Sequence, residues 1–111
     1  MVIGQSVDSL KESVRAFWQE TPCGTRHLEE TPGSRAYFDH LERERDRLEP
    51  FISRFARFED RRDERVLEVG VGAATDFVRF ARAGARLTGV DLTQRSVEWA
   101  RQRLALEELE A

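Results

Sequence analysis

The sequence predicts an α/β protein, with a helical N-terminal extension leading into the opening of a doubly wound parallel sheet. Three observations carry this expectation. Up to about residue 64 apolar side chains recur at three- and four-residue intervals, the period of a helix. Beyond it, Val66-Leu67-Glu68-Val69 is short, rich in β-branched residues and followed at once by the glycine turn Gly70-Val71-Gly72-Ala73-Ala74. One short helical segment later, Leu87-Thr88-Gly89-Val90 repeats the strand pattern and ends on Asp91. Residues 1–64 therefore read as the extension and 65–111 as the start of the α/β domain.

The elements follow in order. Val7, Leu10, Val14 and Phe17 draw one apolar stripe on a helix over Ser6–Gln19. Thr21-Pro22-Cys23-Gly24-Thr25 and Thr31-Pro32-Gly33-Ser34 break the chain twice. Tyr37, Phe38, Leu41 and Leu48 resume helical spacing, and Glu42/Arg45, Arg43/Asp46 and Glu44/Arg47 stand three apart on what reads as a solvated face. Pro50 ends that helix and suits the first turn of the next, whose apolar face is Phe51, Ile52, Phe55 and Phe58. Glu59–Arg65 reads as a charged linker. Val66–Val69 is expected to be a buried strand. Thr75–Ala83 is a short helix with Phe77, Val78 and Ala81 inward, closed by a left-handed Gly84. Leu87–Val90 is the second strand. Thr93 is the N-cap of a last helix, with Leu92 and Val97 as its hydrophobic staple and Val97, Ala100, Leu104 and Leu109 on its inner face. That helix is expected to run open to the last residue.

Composition narrows the function classes. The chain has 111 residues, 35% of them charged and 40% hydrophobic, and a net charge of −3. It is too apolar for a disordered tail, and no charge-free stretch approaches the ~20 apolar residues of a membrane span. Every one of the 18 basic residues except Lys11 is an arginine, yet they alternate with acids, so no nucleic-acid footprint appears. No secretory signal is read at the N-terminus, and the single Cys23 fits a reducing compartment, so a cytoplasmic location is expected. Cys23, His27 and His40 offer only a weak metal constellation, and no metal is expected.

The glycine turn carries the chemistry. Glycines at 70 and 72 let the backbone leave the first strand sharply and present bare N–H groups to a ligand. In parallel α/β sheets ligands lie beyond the carboxyl ends of the strands, where Gly70 and Asp91 both fall. Asp91 lies 21 residues after Gly70, close to the ~20 expected for an acid that binds ribose hydroxyls. A nucleoside is thus the expected ligand. Thr75 stands where the dinucleotide fingerprint wants a third small residue. Glu68, at the mouth of the turn, would repel a pyrophosphate and favour an ammonium or sulfonium group. S-adenosylmethionine has a ribose, a cationic amino group and no phosphate.

Val66-Leu67-Glu68-Val69-Gly70-Val71-Gly72 followed by Leu87-Thr88-Gly89-Val90-Asp91 resembles the first two motifs of class I S-adenosylmethionine-dependent methyltransferases. Phe17-Trp18, Thr21-Pro22-Cys23-Gly24-Thr25 and the Tyr37–Ile52 helix pair are similar to the leader of a bacterial small-molecule subgroup of the ubiquinone/menaquinone-biosynthesis type. The resemblance implies a Rossmann-like domain of seven strands, of which this chain supplies two, so it reads as the truncated N-terminal part of such an enzyme. It also implies that Glu68 approaches the cofactor's amino group, that Gly70, Val71 and Gly72 pass under its methionine portion, that Asp91 binds both ribose hydroxyls and that Leu92 lies beside the adenine. Where the family usually has a third glycine this chain has Ala74, which a negative φ would accommodate. The partner implied is a small-molecule methyl acceptor, with Phe17 and Trp18 either core anchors or part of a lid. Two other functions stand beside this one: an NAD(P)-binding oxidoreductase fragment, disfavoured by Thr75 and Glu68, and a non-catalytic helical interaction module with a remnant α/β unit.

Overall fold

The structure, a computed structural model, describes residues 2–22, 25 and 28–111, with side chains from Asp8 onward. Cys23 and His27 lie outside the described residues. The elements are α1 (Val2–Glu20), α2 (Arg35–Leu48), α3 (Phe51–Ala56), a 3₁₀ turn (Phe58–Arg61), β1 (Arg65–Val69), α4 (Thr75–Ala83), β2 (Arg86–Val90) and α5 (Gln94–Leu106). β1 and β2 pair in parallel, with Arg65 beside Arg86, Glu68 beside Gly89 and Val69 beside Val90. The fold is thus α/β, with five helices and a two-stranded parallel sheet among the described residues. No helix among the described residues is long and apolar enough to cross a membrane.

The sheet has one covered face. Val71, Phe77 and Ala81 of the turn and α4, Leu87 of β2, and Ala100 and Leu104 of α5 form a single apolar cluster, with Val66, Phe80 and Leu109 packed on it. Gly89 permits this approach: a Cβ built there would stand 2.5 Å from Phe77 Cε2 and 2.8 Å from Val71 Cγ2. The opposite face is bare, which corrects the expectation of a buried first strand. Leu67 is 63% exposed and Val69 74%, and Val90 is also exposed. Side chains alternate across a strand, and α4 and α5 lie on the same side of the sheet.

A second cluster joins the extension to this unit. Tyr37, Phe38 and Leu41 of α2 pack with Ala73 of the turn, and Leu28 and Trp99 close it. Trp99 meets Tyr37 and Phe38 edge to face, with ring centroids 5.6 and 5.8 Å apart. Ser34 caps α2 by accepting from the Tyr37 N–H.

Several expectations need correcting. Over the described side chains the stripe of α1 is not core: Leu10, Val14 and Phe17 are exposed, as is Trp18, which rests on Phe17 at 4.9 Å, and the side chain of Val7 lies outside the described residues. α1 is tied near its C-terminal end, where Gln19 Oε1 accepts from Arg95 N–H and Arg95 donates to the Glu20 carbonyl. Phe51 and Phe55 of α3 are exposed too, and of the four residues expected inward there only Phe58, in the 3₁₀ turn, is buried. The charged linker is partly ordered by that turn, and Arg65 already belongs to β1.

α5 does not run open. It stops at Leu106, where Glu108 turns left-handed (φ 55°), Glu108 N–H reaches the Ala105 carbonyl and Leu109 N–H the Leu104 carbonyl. This is the Schellman closure usually given to glycine; here the apolar contact of Leu109 with the core offsets the strain of a side chain at positive φ. Gly84 closes α4 as expected, and Thr93 caps α5 while Leu92, its expected staple, stands exposed.

Two outcomes follow. Gly89→Ala should destabilise the chain by about 1–3 kcal/mol through overpacking against Phe77. It should lower the urea midpoint without changing the slope; an unchanged midpoint would mean that Phe77 yields freely. The bare sheet face and the α1 stripe should also drive concentration-dependent association in size-exclusion chromatography. Leu67→Glu with Val69→Lys should reduce that association, and a wild-type chain monomeric at all concentrations would contradict it.

Candidate functional site

The chain leaves β1 through a turn with three positive-φ residues in alternation: Gly70 (78°), Gly72 (57°) and Ala74 (64°). Gly70 N–H extends the sheet to the Val90 carbonyl at 2.8 Å, and Ala74 N–H closes the turn on the Val71 carbonyl at 2.9 Å. Ala74 therefore breaks the condition under which an alanine is costless there. A left-handed alanine carries roughly 1–2 kcal/mol of strain, and its methyl group is wholly buried in the core.

Asp91 reaches back from the end of β2 to hold this turn. Its Oδ2 accepts Gly72 N–H at 3.0 Å, while Oδ1 accepts the backbone N–H and the hydroxyl of Thr93 at 2.8 and 2.9 Å. Burial pulls the carboxyl upward, but these donors outweigh it and hold Asp91 below the usual carboxylate range. A carboxylate offers about four acceptor positions, and three of Asp91's are taken within the chain. A grip on two ribose hydroxyls requires one of those bonds to open.

Glu68 lies on the covered face of β1, below the turn. Its Oε2 is buried and has no hydrogen-bond partner. Burial, then repulsion by Asp76, raises its pKa to about 7 against the pull of Arg45. The three residues meet in a cleft of about 830 Å³ between the turn and α2. Its polar wall is Glu44, Arg45, Glu49, Glu68 and Asp76; Leu41, Leu48, Phe58 and Phe80 line the apolar side. Arg45 spans it, donating to Asp76 at 2.5 and 3.3 Å and to Glu49 at 2.6 Å.

Of the residues expected from the sequence, Glu68, Gly70, Val71 and Gly72 thus share one cleft. Asp91 joins them through the Gly72 N–H, and Leu92 stands exposed outside the lining. Sequence reasoning missed Arg45 as the clasp, because its expected partner Glu42 instead faces Arg79 and Arg82. Arg103 was missed as well, although a charge between Ala100 and Leu104 on an inner face was a readable signal. Among the described residues no group of three or more metal-ligating side chains comes together, and His40 pairs with Glu30 at 2.7 Å. No protein-family model, curated protein or solved structure matches the chain.

The unpartnered oxygen of Glu68 sets the cleft's electrostatic preference. Its one guanidinium is bonded to two carboxylates, so an incoming phosphate would meet Glu68 with little compensation, whereas an ammonium group would supply the missing partner of Oε2. A raised carboxyl pKa means that folding favours the protonated form. The destabilisation is absent well below the ordinary 4.5, grows between there and about 7, and is complete above 7. Glu68→Gln should therefore stabilise the ligand-free chain by about 1–3 kcal/mol at pH 8 and have little effect at pH 4. Urea titrations at the two pH values check it; equal effects at both would show that Glu68 does not titrate in this range.

Proposed function

We propose that this chain is the cofactor-holding part of an S-adenosylmethionine-dependent methyltransferase of Rossmann-like architecture, acting on a small-molecule acceptor. The observation that carries the proposal is Glu68: a buried carboxylate oxygen without a partner, beside a glycine turn at the carboxyl end of a parallel strand. Glu68 would hold the cofactor's ammonium group, the backbone of Gly70, Val71 and Gly72 would run beneath its methionine portion, Asp91 would take the ribose and Leu92 would border the adenine. The bound cofactor supplies an electrophilic methyl group on a sulfonium sulfur. The chain's own contribution is orientation and dryness: Leu41, Leu48, Phe58 and Phe80 wall the cleft with apolar surface, and Arg45 fastens α2 to Asp76 across it.

The oxidoreductase alternative is disfavoured by Glu68, which opposes a pyrophosphate, and by Thr75 in place of the fingerprint's third small residue. The exposed stripe Leu10, Val14, Phe17 and Trp18 favours a second reading, a helical interaction module, in which the turn holds no ligand.

Calorimetric titration with S-adenosylhomocysteine, NAD and adenosine separates these. Pairing with an ammonium needs Glu68 ionised, so affinity for S-adenosylhomocysteine should rise about tenfold per pH unit below 7 and level off above it. Glu68→Gln should flatten that profile and leave adenosine unaffected. Weak binding is expected from two strands alone. Tighter binding of NAD would replace the proposal with the oxidoreductase, and no binding of any nucleoside would favour the interaction module.

A further inference from the structure

Arg103 is the most deeply buried charged residue of the described chain, 1% exposed, yet it belongs to neither wall of the cleft. From α5 it reaches the underside of the glycine turn, where Nη1 donates to the Ala73 carbonyl and to Thr75 Oγ1, both at 3.1 Å. Its Cζ lies 4.8 Å from the centre of the Phe38 ring, and Nη2 stands 3.8 Å from Glu42 Oε2. Nε and Nη2 make no hydrogen bond. Both bonds that it does make go to the two residues flanking left-handed Ala74.

We propose that Arg103 is a positioning residue: it fixes the exit of the glycine turn in its left-handed form and couples the placement of α2 to the shape of the ligand-facing backbone. The physical case is a comparison of what the turn needs with what the guanidinium lacks. α4 has no side-chain N-cap, because position 74 is an alanine, and a left-handed alanine is strained. The Ala73 carbonyl, in a buried residue, needs a donor, and Arg103 gives it one. A guanidinium kept only to stabilise the interior would be expected to have its remaining donors satisfied; two of these are not, and an apolar side chain of similar length would avoid the cost of burying it. α2 takes part on the other side, since Phe38 and Glu42 are the groups against which Arg103 rests. Arg79 and Arg82 share Glu42 with it, Glu107 pairs with Arg82, and Asp39 of α2 also acts on it, so charges face Arg103 from α2, α4 and the end of α5.

The test compares Arg103→Met, which keeps stem length without donors, and Arg103→Lys, which restores a cation and part of the bonding. Hydrogen exchange reads the turn directly, because the Gly72 and Ala74 amides are both hydrogen-bonded within it. In Arg103→Met these two should exchange about tenfold faster for each bond lost from beneath the turn, while interior amides of α4 and α5 and the urea midpoint change little or improve. Arg103→Lys should recover part of the protection. In the same series the affinity for S-adenosylhomocysteine should fall in the order Arg, Lys, Met. That last arm alone rests on the methyltransferase proposal: a wild-type chain that binds no nucleoside would sink that proposal while the exchange data still judge Arg103. Unchanged exchange at Gly72 and Ala74 in Arg103→Met would overturn the inference. So would a loss of protection spread evenly over α4, α5 and the turn, which would make Arg103 an ordinary structural residue.

Discussion

Glu42 fastens the helical extension to the α/β unit, and the cleft exists because it does. One carboxylate on α2 accepts from Arg79 at 2.9 Å and from Arg82 at 2.6 and 3.1 Å, and it faces Arg103. Arg82 continues to Glu107 at 2.6 and 2.5 Å, and Arg79 to Asp46 at 2.7 Å. Exposed ion pairs contribute little, but Glu42 is largely buried and shared, so removing it would leave two guanidinium groups short of partners. Burial raises its pKa, and Arg82 and Arg79 lower it by more, leaving it below the ordinary value. The attachment is therefore in force above pH 4.5 and weakens as acid protonates the carboxylate.

A two-stranded sheet makes such a fastening necessary. It offers one covered face, and α4 and α5 take up that face. α2 is left to rest on helices and on the turn, through Tyr37, Phe38, Leu41, Ala73 and Trp99 plus the shared charges. This placement puts α2 above the carboxyl end of β1, so Arg45 can reach Asp76 and Glu68 loses its water. The unusual pKa of Glu68 is thus a consequence of where α2 sits, two packing steps removed from the residue itself.

Local signals were legible in the sequence; anything that depended on a distant partner was not. Thr75–Ala83 was readable to the residue because its limits are set by a turn before it and Gly84 after it. The strands and Thr93 as a cap were readable for the same reason, and the parallel pairing followed from the strand–helix–strand order. The α2 charges were misread as a solvated face: Glu44–Arg47 forms as expected, while Glu42 and Asp46 turn to arginines of α4 and Arg45 bonds to Asp76 of α4 and to Glu49 at the end of α2. Composition cannot tell an intrahelical pair from an interhelical one. Left-handed Ala74 and Glu108 were equally hidden, because each is held by tertiary contacts that override a residue's own preference. At the site, Glu68, Gly70, Gly72 and Asp91 were visible as a pattern, but Asp91's three internal bonds and the clasp of Arg45 were not.

Those internal bonds decide what kind of site the turn makes. Val90 holds Gly70, Asp91 holds Gly72, and Arg103 holds Ala73, so the loop is pinned at three of its first four residues. Hydrogen bonds to charged groups contribute about 1.5–3 kcal/mol each, more than the roughly 1–2 kcal/mol of strain at Ala74. The turn is consequently formed before any ligand arrives, and a ligand would lose little affinity to ordering it. Glu68 is the opposite case. Its unpartnered oxygen costs stability in the free chain once the carboxyl is ionised, and above pH 7 a donor brought from outside can recover that cost. A preformed backbone beside a destabilised carboxylate concentrates the gain from binding on the one group that is missing a partner. Selectivity for a cationic ligand would therefore follow from the free chain's own energetics, while the rearrangement on binding falls on the Asp91 bonds and on access to the buried Glu68 oxygen.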